Sequence, residues 1–278
     1  MTIIPPSAMA QTVLASAPGA DAAAVPSVLA AAGLLLPHLE GGQRIEAAIL
    51  RGAMDAAFGA SDAAGAWDWK MAYDACEAAT VLFLSRYGRA LARKAADHAA
   101  LLSQLGKIAG LLPTQTRRSE ASQTFQQFST PIPLGFVAVT AAAITPADQV
   151  LEPSAGTGLL AILAEIAGGT LLLNELAEMR AGLLSRLFPA VSVTCFDAAQ
   201  IDDHLEPGLV PTVVLMNPPF SALVHVEGRM RDAAFRHVAS ALARLAPGGR
   251  LVTITGASFA PDNPAWTASW IRLQERGC

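Results

Sequence analysis

Gln149-Val-Leu-Glu-Pro-Ser-Ala-Gly-Thr-Gly158 is the stretch of sequence that decides the fold. A short β-rich run leads into a turn of small residues, and the apolar helical run 159–167 follows directly. Glycines permit backbone conformations that other residues avoid, so such a turn can approach a ligand closely. The stretch therefore predicts a strand, a ligand-binding turn and a helix.

The same alternation continues after this first unit. Further β-rich runs occur at 170–174, 191–196, 212–216 and 250–255, and helical runs lie between most of them. Strands that are separated by helices pair in parallel. We therefore predict an α/β fold of Rossmann-like type with a mostly parallel sheet.

The chain before residue 113 has a different, helical periodicity. Helices are predicted at 44–58, 67–87 and 90–111, with a break in the last one near Gly106. In the second helix, one side chain per turn forms a stripe suited to packing: Trp69, Tyr73, Cys76, Thr80 and Leu84. These patterns indicate a small helical bundle ahead of the sheet.

Three segments follow from these rhythms. Residues 1–37, rich in Ala and Pro, are predicted to be a flexible arm. Residues 38–120 are predicted to form the helical subdomain. Residues 121–278 are predicted to form the α/β domain, which contains the candidate functional motifs.

The composition is that of a globular protein with a sizeable core. Of the 278 residues, 53% are hydrophobic and 15% are charged, which excludes an intrinsically disordered chain. The net charge of −4 gives no global basic field, so a nucleic-acid contact needs a local patch. Five arginines are candidates for phosphate contacts, although such residues more often form solvated faces and ion pairs: Arg117, Arg118, Arg229, Arg231 and Arg236.

Cysteine and histidine usage points to neither a disulfide framework nor a metal site. The three cysteines and five histidines show no metal-ligand spacing, so no metal is predicted. The N-terminus has no Lys or Arg before Arg44, and the apolar run 28–36 is too short to cross a bilayer. We therefore expect a cytoplasmic protein without membrane contact.

The glycine-containing turn is distinct from the common nucleotide-binding turns. Ala161 stands where the third glycine of the dinucleotide fingerprint would fall, and no Gly-Lys-Ser/Thr follows to form a P-loop. Glu152 at the start of the turn is well placed to receive a cationic amine or sulfonium. The alternative is a purely structural turn between a strand and a helix.

Acidic residues end the next two predicted strands. Glu175 follows Asn174 and could accept both hydroxyls of a ribose, although it could equally cap the next helix. Asp197 follows Phe196 and could accept a hydrogen bond from an adenine amino group while a neighbouring ring covers the base. An ordinary loop aspartate is the alternative for Asp197.

Asn217-Pro-Pro-Phe220 is the most specific signal in the chain. Two prolines after a buried strand hold a stiff loop at the sheet edge where open α/β folds bind ligands. The Asn217 amide oxygen and the Pro218 carbonyl can accept both hydrogens of an exocyclic amino group. Phe220 offers a face on which a planar ring can stack. The four residues Asn217, Pro218, Pro219 and Phe220 are therefore the predicted catalytic loop.

Together these motifs resemble those of the amino-group DNA methyltransferases. Phe128-Ser-Thr-Pro131 and the glycine-containing turn precede the Asn-Pro-Pro-Phe loop, an order similar to the gamma arrangement of N6-adenine enzymes. The resemblance implies that S-adenosylmethionine (SAM) is the cofactor and that adenine N6 in DNA is the methyl acceptor. It also implies this set of cofactor-binding residues: Phe128, Thr130, Pro131, Glu152, Pro153, Ser154, Ala155, Gly156, Gly158, Glu175, Asp197, Ala198 and Asn217.

A narrower resemblance covers most of the chain. The helical leader and the segments 116–123, 126–136 and 226–231 are similar to the N-terminal methylase region of bacterial and phage methylase/helicase proteins related to strawberry notch. This resemblance implies DNA as a partner, RNA as a possible one, and a helicase or ATPase that is attached or associated. Class I methyltransferase folds add a final β-hairpin after the fifth strand, which the chain leaves little room for, so we expect a fold without it.

Three other functions stay open at the level of sequence. Asn-Pro-Pro-aromatic loops also suit the methylation of RNA adenine or of protein glutamine, because each substrate presents a planar amino group. A non-catalytic SAM- or DNA-binding module of a larger helicase protein is the third. Phe220 in place of tyrosine favours nucleic acid mildly.

Overall fold

A computed structural model describes residues 23–114, 130–218, 233–256, 259–260 and 262–275. In this part of the chain, five strands form one sheet and helices cover both of its faces. The strands are β1 (Gln149–Glu152), β2 (Thr170–Asn174), β3 (Val193–Thr194), β4 (Val213–Met216) and β5 (Arg250–Thr253).

The sheet has the order β3-β2-β1-β4-β5, and all four strand pairs are parallel. This topology confirms the predicted Rossmann-like α/β fold class. The chain starts at the central strand β1, moves to one edge through β2 and β3, and then returns to the other side with β4. The carboxyl ends of β1 and β4 are therefore neighbours at the point where the strand order reverses, which is where such sheets bind ligands.

Four helices precede the sheet and one leads into it: α1 (Val25–Glu40), α2 (Ala47–Phe58), α3 (Trp69–Lys94), α4 (His98–Ala109) and α5 (Ile132–Ala141). The others among the described residues are α6 (Leu159–Ala167), α7 (Glu178–Leu187), α8 (Ile201–His204), α9 (Ala233–Ala243) and α10 (Thr267–Glu275).

Alternating side chains of the strands divide the core between the two faces. Val150 and Val213 point to the face that α6, α7 and the leader helices cover. Leu151, Val214 and Met216 point to the face that α9 and α10 cover. Because successive strand residues face opposite ways, both faces of a central strand must be apolar, as the sequence of β4 shows.

The leader helices pack on the same core as the sheet. Helix α3 begins after Asp68, whose carboxylate accepts a hydrogen bond from the Met71 amide at 2.8 Å. It crosses α6 so closely that a Cβ on Gly88 would lie 2.3 Å from the Ile166 side chain. The predicted stripe on this helix is a packing stripe, since Cys76 and Thr80 are both buried.

The structure corrects two predictions about the leader. Residues 25–37 of the predicted flexible arm lie in helix α1, because Val28, Ala31 and Leu35 are fully buried at helical spacing and Pro26 suits a helix start. The last leader helix was predicted to start at Ala90 and to break near Gly106. Instead, α3 continues to Lys94 and α4 runs unbroken through Gly106.

The break falls at Asp97, whose side chain accepts a hydrogen bond from the Ala100 amide at 2.8 Å. This N-cap stabilises a helix start, whereas a single glycine inside a helix costs only about 1 kcal/mol. Residues 1–22 of the predicted arm lie outside the described part of the chain. The division into domains at residues 38 and 121 stays a prediction.

After β5 the described residues contain helix α10 and no further strand. None of the helices in the described ranges combines the length and the apolar character that crossing a bilayer requires.

Candidate functional site

The turn after β1 is built by short backbone contacts. The Ala155 amide donates to the Asn174 carbonyl at 2.9 Å, and the Gly158 amide donates to the Ala155 carbonyl at 2.8 Å. Gly156 and Gly158 have φ values of +57° and +91°, in the region that favours glycine. The turn is thus hydrogen-bonded to the end of β2 and leads directly into α6.

Asn174 ties three strand ends together. Its side-chain amide donates to the carbonyls of Pro153 at 2.8 Å and Phe196 at 2.9 Å. Its amide oxygen accepts from the Phe196 amide and from the Thr194 hydroxyl. Asn174 is completely buried and fully hydrogen-bonded, so it fixes the edge on which the candidate site stands.

Glu175 lies beside the turn, as the sequence predicts for a ribose-binding acid. One carboxylate oxygen accepts from the Gly156 amide at 2.8 Å, and the other accepts from the Ala177 amide at 2.9 Å. The second contact is the helix-capping alternative. Both roles are compatible, because each carboxylate oxygen can accept more than one hydrogen bond.

Glu152 is buried at the start of the turn, with only 3% of its surface exposed. Its Oε2 atom accepts no hydrogen bond from the described residues. Burial and the nearby charge of Glu175 raise the pKa of Glu152 well above its usual value, against a smaller lowering by the Ala161 backbone. A buried acid without a partner at this oxygen is a site where a cationic group would be stabilised.

Asn217 follows β4 and lies next to Thr130. Its amide Nδ2 donates to the Thr130 hydroxyl at 2.9 Å, although 87 residues separate them in sequence. Its amide oxygen Oδ1 is buried and accepts no hydrogen bond from the described residues. The structure therefore brings together two motifs that the sequence analysis joined only by resemblance.

The other predicted residues divide into three groups. Pro153, Ala155 and Pro218 are buried near the strand ends, and Ser154 is half-buried. Pro131 is exposed and precedes the first residue of α5. Three of the predicted residues lie outside the described part of the chain: Phe128, Pro219 and Phe220.

The third strand end is more open than the others. Asp197 is exposed, and its carboxylate accepts from the Ala199 amide at 2.9 Å, which caps a short 3-10 turn that contains the buried Ala198. Phe196 stacks on His204 with ring centroids 4.6 Å apart. The structure thus places Phe196 and Asp197 just after β3, at the same carboxyl edge of the sheet as the turn after β1.

Sequence reasoning missed four polar residues at this site. Thr157 in the turn donates a hydrogen bond of 2.5 Å to Glu77 of α3. Arg180 of α7 donates from Nε and Nη2 to Asp74 of α3 at 3.0 and 2.7 Å. The available signal was the position of the two acids directly after Tyr73 and Cys76 of the predicted packing stripe, since acidic residues are rarely buried without a partner.

A cavity of about 590 Å³ lies at the opposite end of the sheet. Its lining includes Leu101 and Phe136, and also Ile144 and Ile166, which come shortly before β1 and β2. The polar residues of the candidate site do not line it. No group of three or more metal-ligating side chains occurs among the described residues.

The chain has only distant similarity to the known proteins found. No protein-family model matches the chain, and no curated protein matches it. One similar solved structure is a protein from Pyrococcus horikoshii assigned as an RNA methyltransferase, with 18% identity, a TM-score of 0.44, and coverage of 61% of this chain and 79% of that one.

Two further solved structures are similar over about half of this chain. TrmN from Thermus thermophilus has 20% identity and a TM-score of 0.40, with coverage of 56% of this chain and 55% of that one. A modification subunit assigned to a type I restriction enzyme from Vibrio vulnificus has 14% identity and a TM-score of 0.38. It is covered over 40% of its length, against 56% of this chain.

Proposed function

We propose that this chain transfers a methyl group from SAM to an exocyclic amino group, with adenine N6 in DNA as the acceptor. The observation that carries the proposal is the orientation of the Asn217 amide. Thr130 accepts the hydrogen bond from Nδ2, which leaves the buried Oδ1 atom with its acceptor capacity free among the described residues. A buried polar atom that is held in place without a partner is costly unless a ligand completes it.

The strand ends around the turn fit a cationic nucleoside donor. Glu152 and Glu175 supply acidic groups, Gly156 and Gly158 let the backbone approach, and the turn ends at the first residue of α6. In this proposal Glu175 would accept the ribose hydroxyls and Glu152 would stabilise the positive end of the donor. Asp197 would accept a hydrogen bond from the adenine amino group.

The donor supplies an electrophilic methyl group on a sulfonium, and its leaving group is neutral. The protein then has to align the acceptor nitrogen and increase its electron density. The Asn217 oxygen and the Pro218 carbonyl accept the two amino hydrogens, which draws electron density onto the nitrogen. No strong general base is needed, because the proton can leave after the nitrogen has attacked, and alignment contributes most of the acceleration.

Adenine in DNA is favoured over other planar amines by the motifs rather than by a contact among the described residues. The order of the motifs resembles that of gamma-type N6-adenine enzymes, and Phe220 would stack on a base flipped out of a duplex. The helicase or ATPase partner that the narrower resemblance implies also stays a prediction.

Transfer of tritiated methyl groups from SAM to unmethylated DNA, to RNA and to a protein pool tests the proposal. We expect label in DNA, recovered after digestion as N6-methyladenine. Label only in RNA or only in glutamine would replace the proposed substrate. No label in any pool, from a chain that binds SAM, would support a non-catalytic binding module instead.

Variants of the amide pair assign the transfer to this site. We expect Asn217→Ala to lower methyl transfer by about 100-fold, similar to the loss of one preorganised transition-state hydrogen bond, while affinity for SAM changes little. Asn217→Asp keeps an acceptor oxygen and should retain more activity than the alanine variant. Thr130→Val frees the amide to rotate and should lower transfer about fivefold. Equal activity of Asn217→Ala and wild type would contradict the assigned role.

A further inference from the structure

Helix α3 of the leader carries two acidic residues into the protein interior. Asp74 and Glu77 are 1% and 5% exposed, and they lie one helical turn apart on the side that faces the turn after β1. Buried acids are expensive unless charged or polar partners compensate them. Two hydrogen-bond partners of these acids, Thr157 and Arg180, belong to the proposed donor site or lie next to it.

The contact between Glu77 and Thr157 fixes the middle of the turn. The Thr157 hydroxyl donates to Glu77 Oε2 at 2.5 Å, and Thr157 is itself 3% exposed. Thr157 lies between Gly156 and Gly158, which both have positive φ values. Glycine gives a turn more conformational freedom than any other residue, so an anchored side chain between two glycines removes much of that freedom.

A second link joins α3 to the helix that follows Glu175. Arg180 donates to Asp74 Oδ1 from two nitrogens, and Lys70 lies 3.7 Å from the other carboxylate oxygen. Burial would lower the pKa of Arg180, but the charges of Asp74, Glu77 and Glu175 raise it, so the guanidinium stays charged. Its Nη1 atom would lie 4.0 Å from a Cβ on Gly156.

Glu175 alone does not fix the turn in a ligand-ready position. Its contact to the Gly156 amide uses the carboxylate that the ribose would also engage. A bound ribose can therefore compete with or reorient this contact. The bond from Thr157 to Glu77 links the turn to α3 and involves no group assigned to the ligand.

We propose that Glu77 is a positioning residue for the donor-binding turn and acts through Thr157. The proposal rests on the SAM site proposed above. It makes the helical leader part of that site, because the turn is preorganised by a helix that lies about 80 residues earlier in the chain. The predicted consequence is a change in SAM affinity beyond any change in stability.

A matched pair of threonine substitutions separates positioning from general packing. Thr157→Val removes the hydroxyl that binds Glu77. Thr80→Val removes a buried hydroxyl on the same helix that donates to the Cys76 carbonyl and not to the donor turn. We expect calorimetry on the full chain to show SAM affinity about tenfold weaker for Thr157→Val and within twofold of wild type for Thr80→Val. Thermal unfolding shows whether both variants are folded.

Two further variants complete the test. Thr157→Ser keeps the hydroxyl and should restore affinity to within threefold of wild type. Glu77→Ala should weaken SAM binding about as much as Thr157→Val, and the double variant should be no weaker than either single one. If folded Thr157→Val binds SAM as wild type does, or if Thr157→Ser is as weak as Thr157→Val, the positioning role is wrong. If the wild-type chain itself has no affinity for SAM, the donor site and this inference both fail.

Discussion

Gly158 shows how one residue sets the geometry of the donor turn. It has a φ of +91°, and a Cβ at this position would lie 2.5 Å from the Phe188 ring and 3.0 Å from Leu184. Backbone strain and side-chain overlap therefore both exclude a larger residue. The sequence shows that this turn consists of small residues. However, Phe188 is 30 positions away, and only the fold shows that its ring covers Gly158.

Gly158→Ala should destabilise the protein by about 2–4 kcal/mol, because a strained backbone and an overpacked contact add their costs. Gly106→Ala is the matched control, since Gly106 lies in helix α4 with open space around its Cβ position. That substitution should stabilise the protein by about 0.5–1 kcal/mol. Urea unfolding measures both, and a neutral Gly158→Ala would contradict the packing described here.

At the scale of elements, Asp148 holds the amino end of the sheet. Its carboxylate accepts hydrogen bonds from the Thr145 and Thr212 hydroxyls and from Arg250, each at 2.8 Å. These contacts join the start of β1 to the starts of β4 and β5. Burial alone would raise the pKa of Asp148, but the hydrogen bonds from Thr212, Thr145 and Arg250 lower it to about 2.

This lowered pKa gives a pH dependence with a definite sign. The folded pKa of about 2 lies below the value of about 3.9 in an unfolded chain, so the carboxylate stabilises the fold above pH 4 or so. That contribution decreases as the pH falls from about 4 towards 2. Asp148→Asn should therefore cost about 1 kcal/mol at pH 7 and progressively less below pH 4. A constant difference in unfolding free energy from pH 7 to pH 3 would contradict this origin.

The elements that the sequence predicts best are those with local signals. The β1, β2 and α6 boundaries agree with the predicted runs, because a buried strand, a glycine turn and an apolar helix are visible within one window. The predicted strand at 191–196 is shorter in the structure, Val193–Thr194. It lies at the edge of the sheet, where only one neighbouring strand supplies hydrogen bonds.

The candidate site could be predicted only in part, for the same physical reason. Glu152, Glu175 and Asn217 each follow a strand, so the pattern of strands locates them at one sheet edge. The contacts of Thr130 with Asn217 and of Glu77 with Thr157 connect residues about 80 or more positions apart. No local pattern encodes such a pairing, which arises only when the helices and the sheet pack together.

At the scale of the whole molecule, the leader and the sheet share one hydrophobic core. Val28 and Leu84 of the leader belong to the same buried cluster as Leu183 and Val213. Val25 of α1 also approaches α7, where a Cβ on Gly182 would lie 3.0 Å from it. Removing the leader would therefore expose the outer faces of α6 and α7 to water.

A fragment of residues 130–278 should accordingly lack cooperative unfolding. The exposed apolar surface of α6 and α7 would favour aggregation or a loosely packed state that binds a hydrophobic dye. Circular dichroism during thermal unfolding, compared with the full chain, measures this. A fragment that unfolds cooperatively near the transition of the full chain would show that residues 130–278 fold independently of the leader.

The most direct measurement of the central claim is a crystal structure of the chain with S-adenosylhomocysteine. We predict ribose hydroxyls within hydrogen-bonding distance of Glu175, and the sulfur on the side of the turn that faces the Asn217 amide oxygen. Density for the ligand in the cavity lined by Phe136 and Ile166, or an Asn217 oxygen that points away from the sulfur, would contradict it.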